Sequence, residues 1–243
     1  MLTCFSITDI GKKRKINQDY ICAKTEPVGN LSNLFIVADG MGGHAAGDYA
    51  SRTAVEAMLE YIKASFERNT ITLLSQAVET ANNVVYAMSR ADKDFEGMGT
   101  TVVAATFVGR YLQAINVGDS RVYVISGDEI RQVSVDHSLV EEMIKSGSIA
   151  REQARNHPEK NIITRAVGIK NSVDVDVFSE ELKSGDYVLL CSDGLTNMVP
   201  DEDIVAIING ATDVEDATEK LIAAANDEGG KDNISAVLVR FEE

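Results

Sequence analysis

Tryptophan is absent from these 243 residues, and proline, cysteine and histidine occur only three times each. Three prolines, with no repeat and no low-complexity stretch, leave no linker to divide the chain, so a single domain over residues 1–243 is expected. No run approaches the roughly 20 apolar residues of a membrane helix, and the opening MLTCFSITDIGKKRK lacks the apolar centre of a secretory leader. A cytoplasmic protein with no membrane insertion is the expectation. The odd cysteines Cys4, Cys22 and Cys191 are too scattered for a zinc site or a redox pair. Cys191 cannot open a cysteine-phosphatase loop, because Asn197 stands where that loop needs arginine. Scattered histidines and the lack of GxSxG give no support to a serine hydrolase. Positive charge is the last shortage: 23 Lys and Arg against 38 Asp and Glu leave a net −15. That balance opposes nucleic acid and anionic bilayers, both of which bind through Lys and Arg, and favours divalent cations as partners.

Strand patterns cover CFSITDIG, DYICAKTE and NLFIVADG near the start, and VDVDVFSE, DYVLLCSD and ISAVLVRF in the second half. Apolar residues recur at helical spacing over about 45–67 and 71–91, and again near 201–209 and 213–227. TTVVAATFVG, YLQAINVGDS and RVYVISGDEIRQV, joined by short Gly- and Asp-containing connections, read as a meander of consecutive antiparallel strands. Residues 138–167 are long, polar and broken by Gly147 and Pro158, which predicts a mobile flap. This element order favours a mixed sandwich over repeated βαβ units.

Asp39 and Asp193 each end a run of apolar or small residues and precede glycine, while Asp119 and Asp232 sit in the turns VGDS and GKDN. One Asp-Gly alone is a common turn. Several carboxylates at the ends of buried strands are costly without a counter-ion, and oxygen donors without a His or Cys cluster select Mg²⁺ or Mn²⁺ rather than zinc. Two such ions suit phosphoryl transfer. The GxGxxA match at 40–45 lacks the acid that a dinucleotide site needs on its second strand, and Asp174-Val175-Asp176-Val177 reads as a half-exposed strand rather than a nucleophile loop. Arg14, beside Lys12, Lys13 and Lys15, is a candidate anion-binding group in an otherwise acidic chain.

Seven motifs in order resemble those of the PPM family, the PP2C-type metal-dependent serine/threonine protein phosphatases, in their bacterial form. They are Arg14-x-x-Asn17-Gln18-Asp19, Asp39-Gly40-Met41-Gly42-Gly43-His44, Gly97-Met98-Gly99-Thr100-Thr101, Gly118-Asp119-Ser120-Arg121, Asp136-His137-Ser138, Ser192-Asp193-Gly194-Leu195 and Asp232-Asn233-Ile234. The resemblance implies an α+β fold, a four-layer αββα sandwich of two antiparallel sheets flanked by helices. It also implies hydrolysis of phosphoserine and phosphothreonine by a metal-bridging hydroxide. By that resemblance Asp39, Asp193 and Asp232 are the catalytic carboxylates. Asp39 bridges two Mn²⁺ or Mg²⁺ ions, the Gly40 carbonyl binds one, and Asp193 and Asp232 hold the other. Asp19 acts directly or through water, Asp119 with Asp193 supports a third, weaker ion, and Arg14 holds the substrate phosphate. The implied partners are phosphorylated proteins, including a serine/threonine kinase, and a monomer is expected. Gln18 replaces a glutamate ligand of animal members, and Met41 replaces their histidine acid, which leaves bound water or His44 as proton donor. The competing reading is a non-catalytic member that binds phosphoproteins, against which the intact Asp39, Asp193 and Asp232 argue.

Overall fold

The computed structural model describes residues 1–43 and 46–243. Its strands, in chain order, are β1 (Leu2–Asp9), β2 (Asp19–Lys24), β3 (Leu34–Met41), β4 (Gly99–Thr100), β5 (Val102–Val108), β6 (Tyr111–Val117), β7 (Arg121–Ser126), β8 (Glu129–Gln132), β9 (Asp176–Glu181), β10 (Tyr187–Cys191) and β11 (Ile234–Phe241). The helices are α1 (Ala46–Ala64), α2 (Thr70–Ala91), α3 (Leu139–Lys145), α4 (Arg151–Ala154), α5 (Asp193–Thr196), α6 (Asp201–Asn209) and α7 (Val214–Asp227). Two antiparallel sheets result. One runs β1-β11-β10-β7-β8 and the other β2-β3-β5-β6-β9, with β4 pairing β3.

Alternation along each strand divides its apolar residues between two layers. Leu34, Ile36 and Ala38 of β3 face α1 and α2, meeting Ala54, Met58, Leu74 and Val78. Phe35 and Val37 point the other way, into a core shared with Val122, Val188, Leu190 and Val237 of the opposite sheet. A third core sets Leu189, Cys191 and Leu238 against Ile204, Ile208 and Leu221 of α6 and α7. Three apolar layers between four sheets of structure make the αββα sandwich, and Cys191 is one of its small buried strand residues. Among the described residues no helix is long and apolar enough to cross a membrane.

The expected meander does not form. β5 pairs with β6 in one sheet and β7 with β8 in the other, so the chain changes sheets between Val117 and Arg121. Gly118 makes the change possible: its φ is +114°, and a Cβ there would stand 2.6 Å from the Thr101 side chain. A hairpin would have kept Asp119 at the edge of one sheet, whereas the crossing sets it between the two. The strand expected from Val173 begins at Asp176, opposite Asn116, because its partner β6 ends at Val117, and Arg165 Nη1 donates to the Asp174 carbonyl at 3.1 Å.

Residues 138–167 carry α3 and α4 on the rim of the sandwich. The two legs are pinned to each other and to the sheet: Leu139 N–H donates to the Ile162 carbonyl, Thr164 N–H to His137, and Thr100 and Val167 exchange two hydrogen bonds of 2.9–3.0 Å. Between them, residues 146–161 bury no side chain. In hydrogen exchange, we expect the 146–161 amides to exchange orders of magnitude faster than those of β3 and β10; equal protection would contradict a mobile flap.

Candidate functional site

Strand parity aims the acidic residues. Asp39 continues the face of Phe35 and Val37, and Asp19 that of Ile21 and Ala23, so both look into the gap between the sheets. The two are direct partners across β2 and β3, where facing side chains start about 5 Å apart. The opposite sheet supplies Asp193, first residue of α5 after β10, and Asp232, two residues ahead of β11. Asp119 arrives on the crossing. Asp39, Asp119, Asp193 and Asp232, with Arg14, Gly40, Met41 and Asn233, line one cleft of about 250 Å³, and Asp19, paired with Asp39 across the strands, is buried beside it. Gly40 is required there: a Cβ would stand 2.0 Å from the Gly47 carbonyl of α1. Of the residues that sequence marked out, only His44 lies outside the described residues.

Asp19 ties the sheets together. Its Oδ2 accepts from Ser192 Oγ and Ser235 Oγ, each at 2.7 Å, while its Oδ1 is buried without a donor. Burial pushes its carboxyl up to about 7, with the Asp193 and Asp232 charges adding to the rise and the two serines opposing it. Burial, then Asp19 and Asp193, push Asp39 well up. Asp193 is raised to about 6 by burial and by Asp232, and is drawn partly back by Arg121 and by its contact with Asp39. Burial followed by Asp193 and Asp136 raises Asp119 as well. Each rise is led by burial, with neighbouring carboxylates adding to it, so these groups resist ionising together in the absence of a cation.

The arrangement fits oxygen-seeking divalent cations. All side-chain donors in the cleft that could ionise to anions are carboxylates, and Asp19 Oδ1 and Asp193 Oδ1 are both buried without a hydrogen-bond donor. Among the described residues no three such side chains are already drawn into ligand geometry, and several of their oxygens have protein partners. Arg14 Nη2 lies 2.7 Å from Asp232 Oδ2, Asn197 Nδ2 donates to Asp193 Oδ2 at 2.8 Å, and Asp39 sits against Asp193. A guanidinium thus stands on one carboxylate where cation charge would go.

Arg14 is placed by a staked loop. Asn233 Nδ2 donates to the carbonyls of Ile10 and Ile16 at 3.0 Å each, and its Oδ1 accepts from Gln18 N–H at 2.9 Å. The residue after Asp232 therefore fixes the loop that brings Arg14 to Asp232. His137 also proves to be a support. Its Nδ1 accepts from Gly118 N–H at 3.0 Å and its own N–H donates to the Gly118 carbonyl at 2.9 Å. With Nδ1 accepting, the ring proton lies on Nε2, 3.1 Å from Asp176 Oδ2. Asp176 in turn pairs with Arg165 of the flap leg at 2.6 Å. The sequence signal was the Asp136-His137-Ser138 motif, but the partners of His137 come from other strands.

Residues 11–239 match the family Protein phosphatase 2C. The chain is 40% identical to the Serine/threonine phosphatase stp of Listeria monocytogenes serotype 4b (strain F2365), over 96% of this chain and 93% of that protein. Among solved structures it resembles the S. agalactiae serine/threonine phosphatase, with TM-score 0.92, 36% identity and full coverage of both chains. It also resembles the catalytic domain of the serine threonine protein phosphatase PstP in complex with 2 manganese ions, with TM-score 0.88 and 32% identity over 100% of this chain and 99% of that one. The chain belongs to the Protein phosphatase 2C family.

Proposed function

We infer that this chain is a metal-dependent protein phosphatase that hydrolyses phosphoserine and phosphothreonine in proteins. The observation that carries the reading is a cleft where carboxylates from both sheets meet beside a single guanidinium, in a chain of this family. We propose that Asp39 bridges two divalent ions, that the Gly40 carbonyl serves one of them, and that Asp193 and Asp232 hold the other. Asp19, with a buried oxygen lacking a donor, acts directly or through water. Bound ions supply water activation and neutralise charge developing on the phosphoryl group. Arg14 leaves Asp232 to hold two phosphate oxygens, a task that suits its planar fork. Met41 borders the cleft, and its thioether has no proton to give the leaving alkoxide; His44 is the nearest such group in sequence. Mn²⁺ or Mg²⁺ is the proposed metal, and phosphorylated targets of a serine/threonine kinase are the proposed substrates.

Phosphate release from a phosphothreonine peptide tests the reading. We expect release with Mn²⁺, loss with EDTA and recovery when Mn²⁺ is added back. EDTA-resistant release, or none with either metal, would overturn it.

Asp119, brought in by the sheet crossing, is proposed to support a third, weaker ion with Asp193. Asp119→Ala is then expected to keep two Mn²⁺ per chain by calorimetry while slowing phosphopeptide turnover by about tenfold or more. An aryl phosphate, whose leaving group needs less protonation, should be slowed less. Loss of all metal binding would remove Asp119 from this role.

A further inference from the structure

Met41 and Ile163 form a ridge with a cavity on either side. One cavity is the carboxylate cleft. The other, about 290 Å³, lies between the C-terminal leg of the flap and residues 169–174. Its apolar lining is Met41, Ile163, Ala166, Ile169 and Val173. Ile169 is 42% exposed, although its position is fixed: a Cβ on Gly99 would be 2.8 Å from Ile169 Cδ1, so the side chain lies directly on a bare glycine. The cavity is thus propped open rather than filled from within. Of its polar side chains, Arg165 is held by Asp176 at 2.6 Å and by the Asp174 carbonyl at 3.1 Å. Lys170 and the Asp174 carboxylate, both exposed at the lip, make no ion pair among the described residues.

This inference rests on the phosphatase reading. A phosphoresidue whose phosphate enters the carboxylate cleft brings its own chain across the Met41–Ile163 ridge. In an extended peptide, side chains two residues apart point the same way about 7 Å from each other. We propose that the second cavity is a substrate subsite that takes an apolar side chain two residues from the phosphorylated residue. Burial of the side chain against Ile163, Ile169 and Val173 favours Leu-sized groups, and a charged side chain of either sign would lose its water against that apolar lining. The subsite selects among phosphoproteins and has no part in the phosphoryl chemistry.

The test uses the Mn²⁺-loaded enzyme and phosphothreonine peptides carrying Leu, Ala, Asp or Lys at −2 or +2. We expect Leu at one of these positions to exceed Ala in kcat/KM by about tenfold, with Asp and Lys below Ala. Ile169→Asp and the cavity-filling Ala166→Leu should each cut that preference below twofold and leave p-nitrophenyl phosphate hydrolysis within twofold of wild type. A flat profile in wild type, or a preference surviving in both variants, overturns the subsite. In wild type, the Ile169 δ1 methyl resonance should shift with a non-hydrolysable Leu phosphopeptide and much less with its Ala counterpart; equal shifts overturn the subsite even if neither variant folds. Failure of wild type to hydrolyse p-nitrophenyl phosphate with Mn²⁺ would instead count against the phosphatase reading.

Discussion

Asp193→Ala is expected to lower turnover by about 10³-fold or more and, in metal-free buffer near pH 8, to raise the thermal midpoint. Both effects come from one crowded charge. Folding raises the Asp193 carboxyl to about 6 and Asp19 to about 7, chiefly by burial. A carboxyl raised on folding holds its proton more tightly in the native chain than in the unfolded one. Its stabilising contribution is complete below the unfolded value near 3.8 and is lost as pH climbs through the native values of about 6 and 7. Metal-free wild type should therefore lose midpoint between about pH 5 and 8, and Asp193→Ala should flatten that decline. Mn²⁺ at a hundred times its Kd should return about 2.7 kcal/mol to wild type and much less to the variant. Differential scanning calorimetry across pH, with and without Mn²⁺, reads all three effects. Wild-type Mn²⁺ affinity in Asp193→Ala would remove Asp193 from the ligand set.

The second large effect belongs to Arg14. Its guanidinium is half exposed and rests on Asp232 at 2.7 Å, with the Asp232 contact as the first cause holding it charged. Arg14→Ala is expected to lower phosphopeptide kcat/KM by about 10²-fold, mostly through KM, since a charge-assisted bidentate contact is lost. Arg14→Lys should recover only part, because an ammonium offers no planar fork. The same ion pair predicts a separate result: Mn²⁺ affinity should be no weaker in Arg14→Ala, because the arginine and the ion compete for one carboxylate. Unchanged KM would return Arg14 to the role of a solvated loop residue, and weakened Mn²⁺ binding would make it a structural support for Asp232.

Asp39 and Asp193 were legible because their strands announce themselves: each follows a continuous apolar run buried on both faces, and a carboxylate at the end of such a run has few places to go. The helices were legible for the same reason, since their apolar stripes are long enough to fix a period. Asp119 was visible as a candidate, but the connection that carries it was misread, because a short Gly-Asp connection looks like a hairpin until the partner of each strand is known. Nothing local tells a chain that β6 and β7 belong to different sheets. The grip of Asn233 on the Arg14 loop and of His137 on Gly118 is carried by contacts 217 and 19 residues apart in sequence. One sequence offers no periodicity that could reveal such pairs. The short helix α5 was missed because four residues are too few to carry a pattern.

Asp19 and Asp39 belong to one sheet, and Asp193 and Asp232 are delivered by the other. Ions shared among them would act as rivets across the seam between the layers, alongside the serine contacts to Asp19. Prising the layers apart would then require the ions to leave first. Bound metal should therefore slow the rate at which the native chain opens, and would hasten refolding only if the seam were already closed in the folding transition state. Depletion of metal would shorten the lifetime of the folded molecule as well as silence it.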